Sequence, residues 1–348
     1  MTLESSHKAV AIGGGTGLPS VLRSLVDLGY DTTAIVTMAD DGGSSGMLRR
    51  ELGMLPPGDI RNCLVALSDP DSLVARLFQY RFPHGEGLAG HALGNLVIAA
   101  LADLTGGFPE AIDAAGDLLG VRGRVLPSTL EDVVLHAEDR SGQPVSGQAN
   151  IAVSAEPVAH VVLEPEAPSA YAPALEALES ADVIVMGPGS LFTSVIPNFL
   201  VAGIADALRE SNALRVYVCN VANQRGETCG LDAADHVQAL IDHGLEGAID
   251  VVLVHESGAA DAAGSFAPAP SAAGFAAPGF AATGVSPPGT EPVELVVSDA
   301  RVRSQIGTLV PAVVAANLVD SAAPTRHDPA RLEAALGAIL DARSGQVA

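Results

Sequence analysis

The stretch VAIGGGTGLPSVLRSL, residues 10–25, combines a short apolar run, a glycine loop and the start of an amphipathic helix. Val10–Ile12 is the apolar run, and Gly13–Gly17 is the loop. Large apolar residues then recur at positions 18, 21, 22, 25 and 28, a spacing that places them on one helix face. Pro19 stands near the first helical position, where proline is favoured. This order of strand, loop and helix predicts a βαβ unit and a doubly wound sheet.

The same alternation of strands and helices continues along most of the chain, which predicts one Rossmann-like α/β domain over 8–345 with a mainly parallel sheet. Within it, residues 121–163 form short apolar segments broken by turn residues and predict a small antiparallel β insertion. Residues 258–290 are rich in Ala, Gly, Pro and Ser and predict a disordered insertion. Further strands are predicted at Thr33–Thr37, Asp182–Met186, Leu214–Asn220 and Ala248–Val254, and helices at Ala172–Glu179, Phe199–Arg209, Leu231–His243 and Pro329–Leu340.

The composition excludes several classes of function. A net charge of −23 over 348 residues disfavours nucleic acid as a partner, because phosphates repel such a surface. Lys8 is the single lysine, so neither a P-loop nor a Schiff-base enzyme is expected. No apolar run approaches the ~18 residues of a membrane span. With a strand starting near residue 8, no secretory leader is predicted either, and we expect a cytoplasmic protein.

Four polar loops follow predicted strands, and in an open parallel sheet such loops meet at one edge. They are Gly13–Gly17, Asp40–Ser45, Gly187–Ser194 and Asn220–Thr228. The first and third are glycine-rich and precede helices, an arrangement that suits a phosphate group. The first can also be a plain strand–helix turn, since GGGTGL matches the dinucleotide fingerprint imperfectly.

The acidic residues of the second loop have two readings. Asp40 and Asp41 suit a ribose hydroxyl or a hard cation such as Mg²⁺, although a solvated turn fits them too. Asp59 is either a third member of this site or the N-cap of the helix that follows it. His91 and Asn95 stand four residues apart on one face of an apolar helix, as ligand contacts or as a satisfied buried pair.

Together these loops resemble one family, the gluconeogenesis factor proteins (YvcK type), which belong with the 2-phospho-L-lactate transferases (CofD-like superfamily). The likeness runs from about residue 9 to 256 and resumes near 291. The motifs that carry it are AIGGGTGLPSVLRSL (11–25), VTMADDGGSSGMLRRELGMLPPGDIRNCLVAL (36–67), GHALGNLVIAAL (90–101), RGRVLPST (122–129), VIVMGPGSLFTSVIPNFLV (183–201) and VYVCNVANQRGETCGLDAADHV (216–237).

The resemblance implies a bacterial protein that binds a UDP-sugar and supports cell shape and envelope precursor supply during gluconeogenic growth, as an expected homo-oligomer. The alternative is a Mg²⁺-dependent transferase that uses a nucleotide-diphosphate donor, with Asp40 and Asp59 as catalytic and metal-binding residues. The motif after the acid pair differs from that of the transferases, which favours binding without turnover. A nicotinamide-dependent oxidoreductase is a weaker third reading. The predicted ligand-binding residues are Gly13, Gly14, Gly15, Thr16, Gly17, Asp40, Asp41, Gly42, Gly43, Ser44, Ser45, Asn62, His91, Asn95, Gly187, Pro188, Gly189, Ser190, Thr193 and Asn220.

Overall fold

The computed structural model of this chain describes residues 7–256 and 293–344. The predicted insertion 258–290 lies outside these residues. No helix in the described ranges is long and apolar enough to cross a membrane.

A seven-stranded parallel sheet forms the centre of the fold, with the strand order β3-β2-β1-β7-β8-β9-β10. Because the chain runs outward from β1 in both directions, the strand order reverses between β1 and β7. This confirms the predicted Rossmann-like doubly wound sheet. The strands are β1 (Lys8–Gly13), β2 (Asp31–Val36), β3 (Arg124–Pro127), β7 (Val183–Met186), β8 (Leu214–Val218), β9 (Val251–His255) and β10 (Ala312–Ala316).

A second, antiparallel sheet is formed by β4 (Val134–Asp139), β5 (Pro144–Ser146) and β6 (Val158–Glu164) in the order β5-β4-β6. The predicted β-rich segment 121–163 contributes to both sheets, because β3 pairs in parallel with β2. The antiparallel part is therefore shorter than the segment that the turn residues delimit.

Helices cover the parallel sheet, and the first of them shows the pattern that the sequence predicts. Leu18, Val21, Leu22 and Leu25 are completely buried on one face of α1. The helices are α1 (Leu18–Asp27), α2 (Gly43–Leu52), α3 (Gly58–Ala66), α4 (Leu73–Gln79), α5 (Leu93–Thr105), α6 (Phe108–Leu119), α7 (Gln148–Ile151), α8 (Ala172–Glu179), α9 (Ile196–Phe199), α10 (Ile204–Glu210), α11 (Ala233–Leu240), α12 (Ala300–Ile306) and α13 (Pro329–Ser344), with π-helical turns at Leu191–Val195 and Ile241–Leu245.

Two regions of the structure differ from the sequence prediction. The helix predicted at Phe199–Arg209 is broken, because Gly203 adopts φ +88° between α9 and α10. α9 has already ended at Phe199, and Gly203 is the N-cap residue whose left-handed backbone redirects the chain into α10. Gly43–Leu52 forms α2, whereas the sequence suggested that the glycine-rich stretch 37–46 is a loop throughout.

Candidate functional site

The glycine loops that follow β1 and β7 are packed directly against each other at the reversal of strand order. A Cβ atom on Gly17 would lie 2.5 Å from the carbonyl oxygen of Pro188, and one on Gly189 would lie 3.1 Å from that of Gly14. Glycine is therefore required sterically at position 17. The prediction that these two loops meet is confirmed.

Asn220, at the end of β8, holds the second loop in place. Its Oδ1 accepts a hydrogen bond from the Gly189 N–H at 3.1 Å, and its Nδ2 donates to the Gly189 carbonyl at 2.7 Å. The backbone N–H and the carbonyl of Gly189 are thus both hydrogen-bonded to the Asn220 side chain. Asn220 acts on the site through the backbone of Gly189.

A polar cavity of about 520 Å³ opens beside the two loops. Six predicted ligand-binding residues line it: Thr16, Gly17, Pro188, Gly189, Ser190 and Asn220. The exposed arginines Arg23 and Arg326 and the buried His327 line it too, and sequence reasoning missed all three. Arg326 and His327 follow the region 258–290, and no motif in the sequence connects them with the glycine loops.

Asp40 and Asp59 form a half-buried acid pair next to the first glycine loop. Asp59 Oδ2 accepts a hydrogen bond from the Gly15 N–H at 2.7 Å, and a Cβ on Gly14 would lie 2.7 Å from the same oxygen. Burial, and next the charge of Asp40, raise the pKa of Asp59 to about 6. Burial also raises the pKa of Asp40. No hydrogen bond of Asp59 caps α3, so the N-cap interpretation is wrong.

The start of α2 and the start of α3 enclose the carboxylate of Asp40. Its Oδ1 accepts from the Gly42 N–H at 3.0 Å, and Ser45 donates its hydroxyl to the same carboxylate. Ser45 Oγ in turn accepts from the Gly58 N–H at 3.1 Å. A Cβ on Gly58 would lie 2.4 Å from Ser45 Oγ, so glycine at 58 allows this close approach.

Arg61 is a buried cation beside the acid pair, and it too escaped sequence reasoning. Its side chain is 5% exposed, and its guanidinium donates to Asn95 Oδ1 at 2.9 Å and to Asn62 Oδ1 at 2.8 Å. Burial, and next the charge of Arg81, lower its pKa to about 10. The sequence could have indicated its burial through helical spacing. Arg61 precedes the buried Leu64 by three residues and therefore lies on the inner side of α3.

Two predicted site residues, Asp41 and Thr193, form hydrogen bonds with distant parts of the chain. The carboxylate of Asp41 accepts from the N–H groups of Gln148 and Ala149, at 3.1 and 2.8 Å, and so binds the start of α7 next to the antiparallel sheet. Thr193 is 1% exposed and donates its hydroxyl to the buried Glu227 at 2.8 Å. Burial raises the pKa of Glu227 to about 7.

The described residues contain no group of three or more His, Cys, Asp or Glu side chains arranged to hold a metal ion. The carboxylates at this site are those of Asp40 and Asp59. Mg²⁺ commonly uses one or two protein carboxylates together with ligand phosphates and water. The pair therefore fits a Mg²⁺ ion that arrives with a phosphorylated ligand rather than one held by protein side chains alone.

Comparison with known proteins identifies relatives of this chain. The sequence model described as 2-phospho-L-lactate transferase CofD matches residues 9–266. A gluconeogenesis factor of Halalkalibacterium halodurans is 50% identical over 246 residues, which are 71% of this chain and 76% of that protein. The gluconeogenesis factor of Bacillus subtilis is 49% identical over 248 residues, 71% of this chain and 78% of that protein.

A solved structure extends the similarity over nearly the whole fold. The crystal structure of a UPF0052 family member from Bacillus halodurans superposes with a TM-score of 0.81 at 39% sequence identity. The match covers 96% of this chain and 99% of that one. The range matched by the family model, 9–266, contains the two glycine loops and the acid pair.

Proposed function

This chain belongs to the 2-phospho-L-lactate transferase CofD family and, within it, to the gluconeogenesis factors, and from this premise we propose that it binds a UDP-sugar at the crevice between β1 and β7. The observation that carries the proposal is the polar cavity against the two glycine loops, lined by Arg23 and Arg326. A diphosphate needs close backbone approach and positive charge, and this cavity supplies both.

The N-terminus of α1 adds to the attraction for an anion. No side chain caps this helix and no acidic residue occupies its first turn, so the helix dipole favours an anion at this end. The charged residues that line the cavity are Arg23, Arg326 and one acid, Asp320, so its lining carries a net positive charge in a chain whose net charge is −23. An anionic small molecule is therefore favoured here over a polyanion, which the rest of the surface repels.

In this proposal the sugar extends toward Asp40 and Asp59, on the far side of Gly14 and Gly15. Carboxylates buried beside a glycine loop accept hydrogen bonds from sugar hydroxyls, and each such bond is worth more where water is excluded. The UDP-sugar itself is the ligand that the family resemblance implies. The same resemblance supports a cytoplasmic homo-oligomer that senses the nucleotide sugar without consuming it and promotes cell shape and envelope precursor supply.

A second candidate function is a transferase that uses a nucleotide-diphosphate donor, and the acid pair is the observation in its favour. Two carboxylates that raise each other's cost of ionisation are stabilised as anions when a cation binds between them. Asp40 and Asp59 would hold Mg²⁺ here, and the ion would supply charge neutralisation for the phosphates. The donor's phosphates would then lie on the glycine loops.

Calorimetric titration with UDP-N-acetylglucosamine and with GDP, each with and without Mg²⁺, tests both functions, followed by chromatography of the recovered nucleotide. Micromolar binding of the intact UDP-sugar supports the sensor. Preference for GDP that requires Mg²⁺, or breakdown of a donor, supports the transferase instead. Absence of binding by either nucleotide contradicts both.

Arg326→Gln is the variant that localises the site, and Arg209→Gln is its matched control. Both remove one positive charge from an exposed arginine, but Arg209 pairs with Asp206 on α10, away from the cavity. We expect Arg326→Gln alone to weaken UDP-N-acetylglucosamine binding, by on the order of tenfold for the loss of a charged hydrogen bond. Equal affinities for the two variants would exclude the cavity as the diphosphate site.

A further inference from the structure

A row of four buried side chains joined by hydrogen bonds runs from Arg61, which lies beside the acid pair, to His91. Arg61 Nη1 donates to Asn95 Oδ1 at 2.9 Å, Asn95 Nδ2 donates to Ser44 Oγ at 3.0 Å, and Ser44 Oγ lies 3.0 Å from His91 Nδ1. None of the four is more than 5% exposed. Because buried polar groups in folded proteins are hydrogen-bonded, we expect each bond of this row to stay formed.

The direction of the row follows from Arg61. A guanidinium only donates, so the Asn95 atom that faces it is the oxygen, and the amide NH₂ faces Ser44. Ser44 Oγ accepts that bond, and within the described residues His91 Nδ1 is the one acceptor recorded for its own hydrogen. A hydroxyl hydrogen left unused in a site this buried would cost about 1–3 kcal/mol. Ser44 therefore donates to His91 Nδ1.

A ring nitrogen that accepts a hydrogen bond carries no proton, so the proton of the neutral ring is on Nε2. In the described part of the chain Nε2 makes no hydrogen bond, and it is not among the side-chain atoms buried without a partner. Nε2 is thus the accessible end of the ring. The row places the His91 ring, with its N–H donor, beside Ser44, four residues after Asp40, whereas the side chains of Asp40 and Asp59 are acceptors.

We propose that His91 is a ligand-binding residue that acts as a neutral donor through Nε2–H, and that Arg61 is the positioning residue that fixes this tautomer through Asn95 and Ser44. The ligand group it recognises is an oxygen that only accepts hydrogen bonds, either a phosphate oxygen or the carbonyl of an acylated amino sugar. This inference rests on the proposed nucleotide-sugar function. It identifies a hydrogen-bond donor for a ligand oxygen that only accepts, which the two carboxylates cannot bind.

The tautomer is tested without ligand by NMR of protein labelled with ¹⁵N in its histidines. His91→Gln identifies the His91 signals by their loss from the spectrum. In the wild type we expect a protonated Nε2 and an unprotonated Nδ1. In Asn95→Asp the new carboxylate accepts from both Arg61 and Ser44, so Ser44 no longer donates to His91, and the proton moves to Nδ1. Asn212→Asp, an exposed change of the same charge before β8, leaves the spectrum of His91 unchanged.

A protonated Nδ1 in the wild type, or an unmoved proton in Asn95→Asp, overturns the proposal. Ser44→Ala provides a second test if Asn95→Asp does not fold. This variant removes the donor to Nδ1, so a mixture of tautomers is expected, and a pure Nε2–H ring would contradict the directed row. These outcomes do not depend on whether the protein binds UDP-sugars.

Affinity then separates the two sources of the acceptor oxygen. Asn95→Asp is titrated with UDP, UDP-glucose and UDP-N-acetylglucosamine against the wild type. A loss on the order of tenfold for UDP-N-acetylglucosamine alone assigns His91 to the acyl carbonyl, and an equal loss for all three assigns it to phosphate. Unchanged affinity for every ligand, with a shifted tautomer, overturns the binding role of His91. Failure of the wild type to bind any of them overturns the proposed function instead.

Discussion

The carboxylate of Asp59 accepts a hydrogen bond from the backbone N–H of Gly15 at 2.7 Å, which ties α3 to the glycine loop after β1. The bond stabilises the charged form of Asp59, but burial outweighs it, and the pKa rises to about 6. A buried anion beside another acid is costly to the fold. A binding role for the pair would explain why two acids that cost stability lie together at the candidate site.

Replacing Asp59 by Asn should stabilise the protein at neutral pH. Between the ordinary pKa near 3.8 and the folded value of about 6, the folded chain binds a proton at Asp59 that the unfolded chain does not. The contribution of this group to the free energy of unfolding therefore falls as pH rises through that window. Asp59→Asn keeps an oxygen that accepts from the Gly15 N–H. We expect its free energy of unfolding, measured in urea near neutral pH, to be about 1–3 kcal/mol higher than that of the wild type.

The same comparison near pH 4 should show no such gain, because Asp59 is then protonated in the folded wild type. Buried histidines such as His236, whose pKa burial lowers to about 4, titrate equally in both proteins and cancel in the difference. A stability difference that is the same at both pH values would contradict the raised pKa. Under the binding proposal, Asp59→Asn also weakens UDP-N-acetylglucosamine binding.

Gly17→Ala should separate the two glycine loops. The new methyl group would lie 2.5 Å from the carbonyl oxygen of Pro188, an overlap with backbone that no rotamer relieves. Overpacking of this kind costs about 1–3 kcal/mol, and we expect loss of nucleotide-sugar binding as well. The matched control is Gly307→Ala, where the nearest atom is 3.4 Å away and φ is −62°. Similar urea midpoints for the two variants would disprove the steric requirement.

Asp40 and Asp41 are adjacent but should behave differently when replaced. Asp41→Ala removes the acceptor for the Gln148 and Ala149 N–H groups, so we expect a loss of about 0.5–2 kcal/mol in the free energy of unfolding. Asp40→Asn removes a charge from the proposed sugar site, and its main effect should be on ligand affinity. Urea unfolding and calorimetry on both variants distinguish these roles. Unchanged affinity in Asp40→Asn would exclude Asp40 as a ligand contact.

Asn220→Ala should loosen the second glycine loop. Two hydrogen bonds to Gly189 are lost, one from its N–H and one to its carbonyl, so we expect a cost of about 1–3 kcal/mol and weaker binding. The control Asn150→Ala removes one exposed amide bond, to the Ser146 carbonyl at 2.8 Å. If Asn150→Ala impairs binding as much as Asn220→Ala does, the clamp on Gly189 is not what shapes the site.

Periodicity in the sequence was sufficient to predict the parallel sheet and the meeting of its loops. β1, α1 and α8 follow directly from apolar spacing, because those residues face one core. The break at Gly203 could not be predicted, since a glycine in a helical pattern is often tolerated. α6 also escaped prediction, although Gly107 and Gly120 flank it as caps.

The side-chain directions within the site were less accessible to sequence reasoning. Asp41 and Thr193 have the chemistry of ligand contacts, but the partners that occupy them, the start of α7 and Glu227, come from distant parts of the chain. A charge such as Arg61 on the inner side of a helix is informative in retrospect. Its partner Asn95 becomes evident only once α3 and α5 are packed together.

The pairing of β1 with β7 also determines when, during synthesis and folding, the crevice between the two glycine loops can form. Lys8, at the start of β1, donates its backbone N–H to Asp182, 174 positions further along the chain. Contacts between residues so far apart close a long loop and tend to form late in folding. During synthesis the first glycine loop therefore emerges with its facing wall absent, and no complete crevice exists until the second glycine loop has left the ribosome. The acid pair and Arg61, by contrast, belong to a segment that is complete long before.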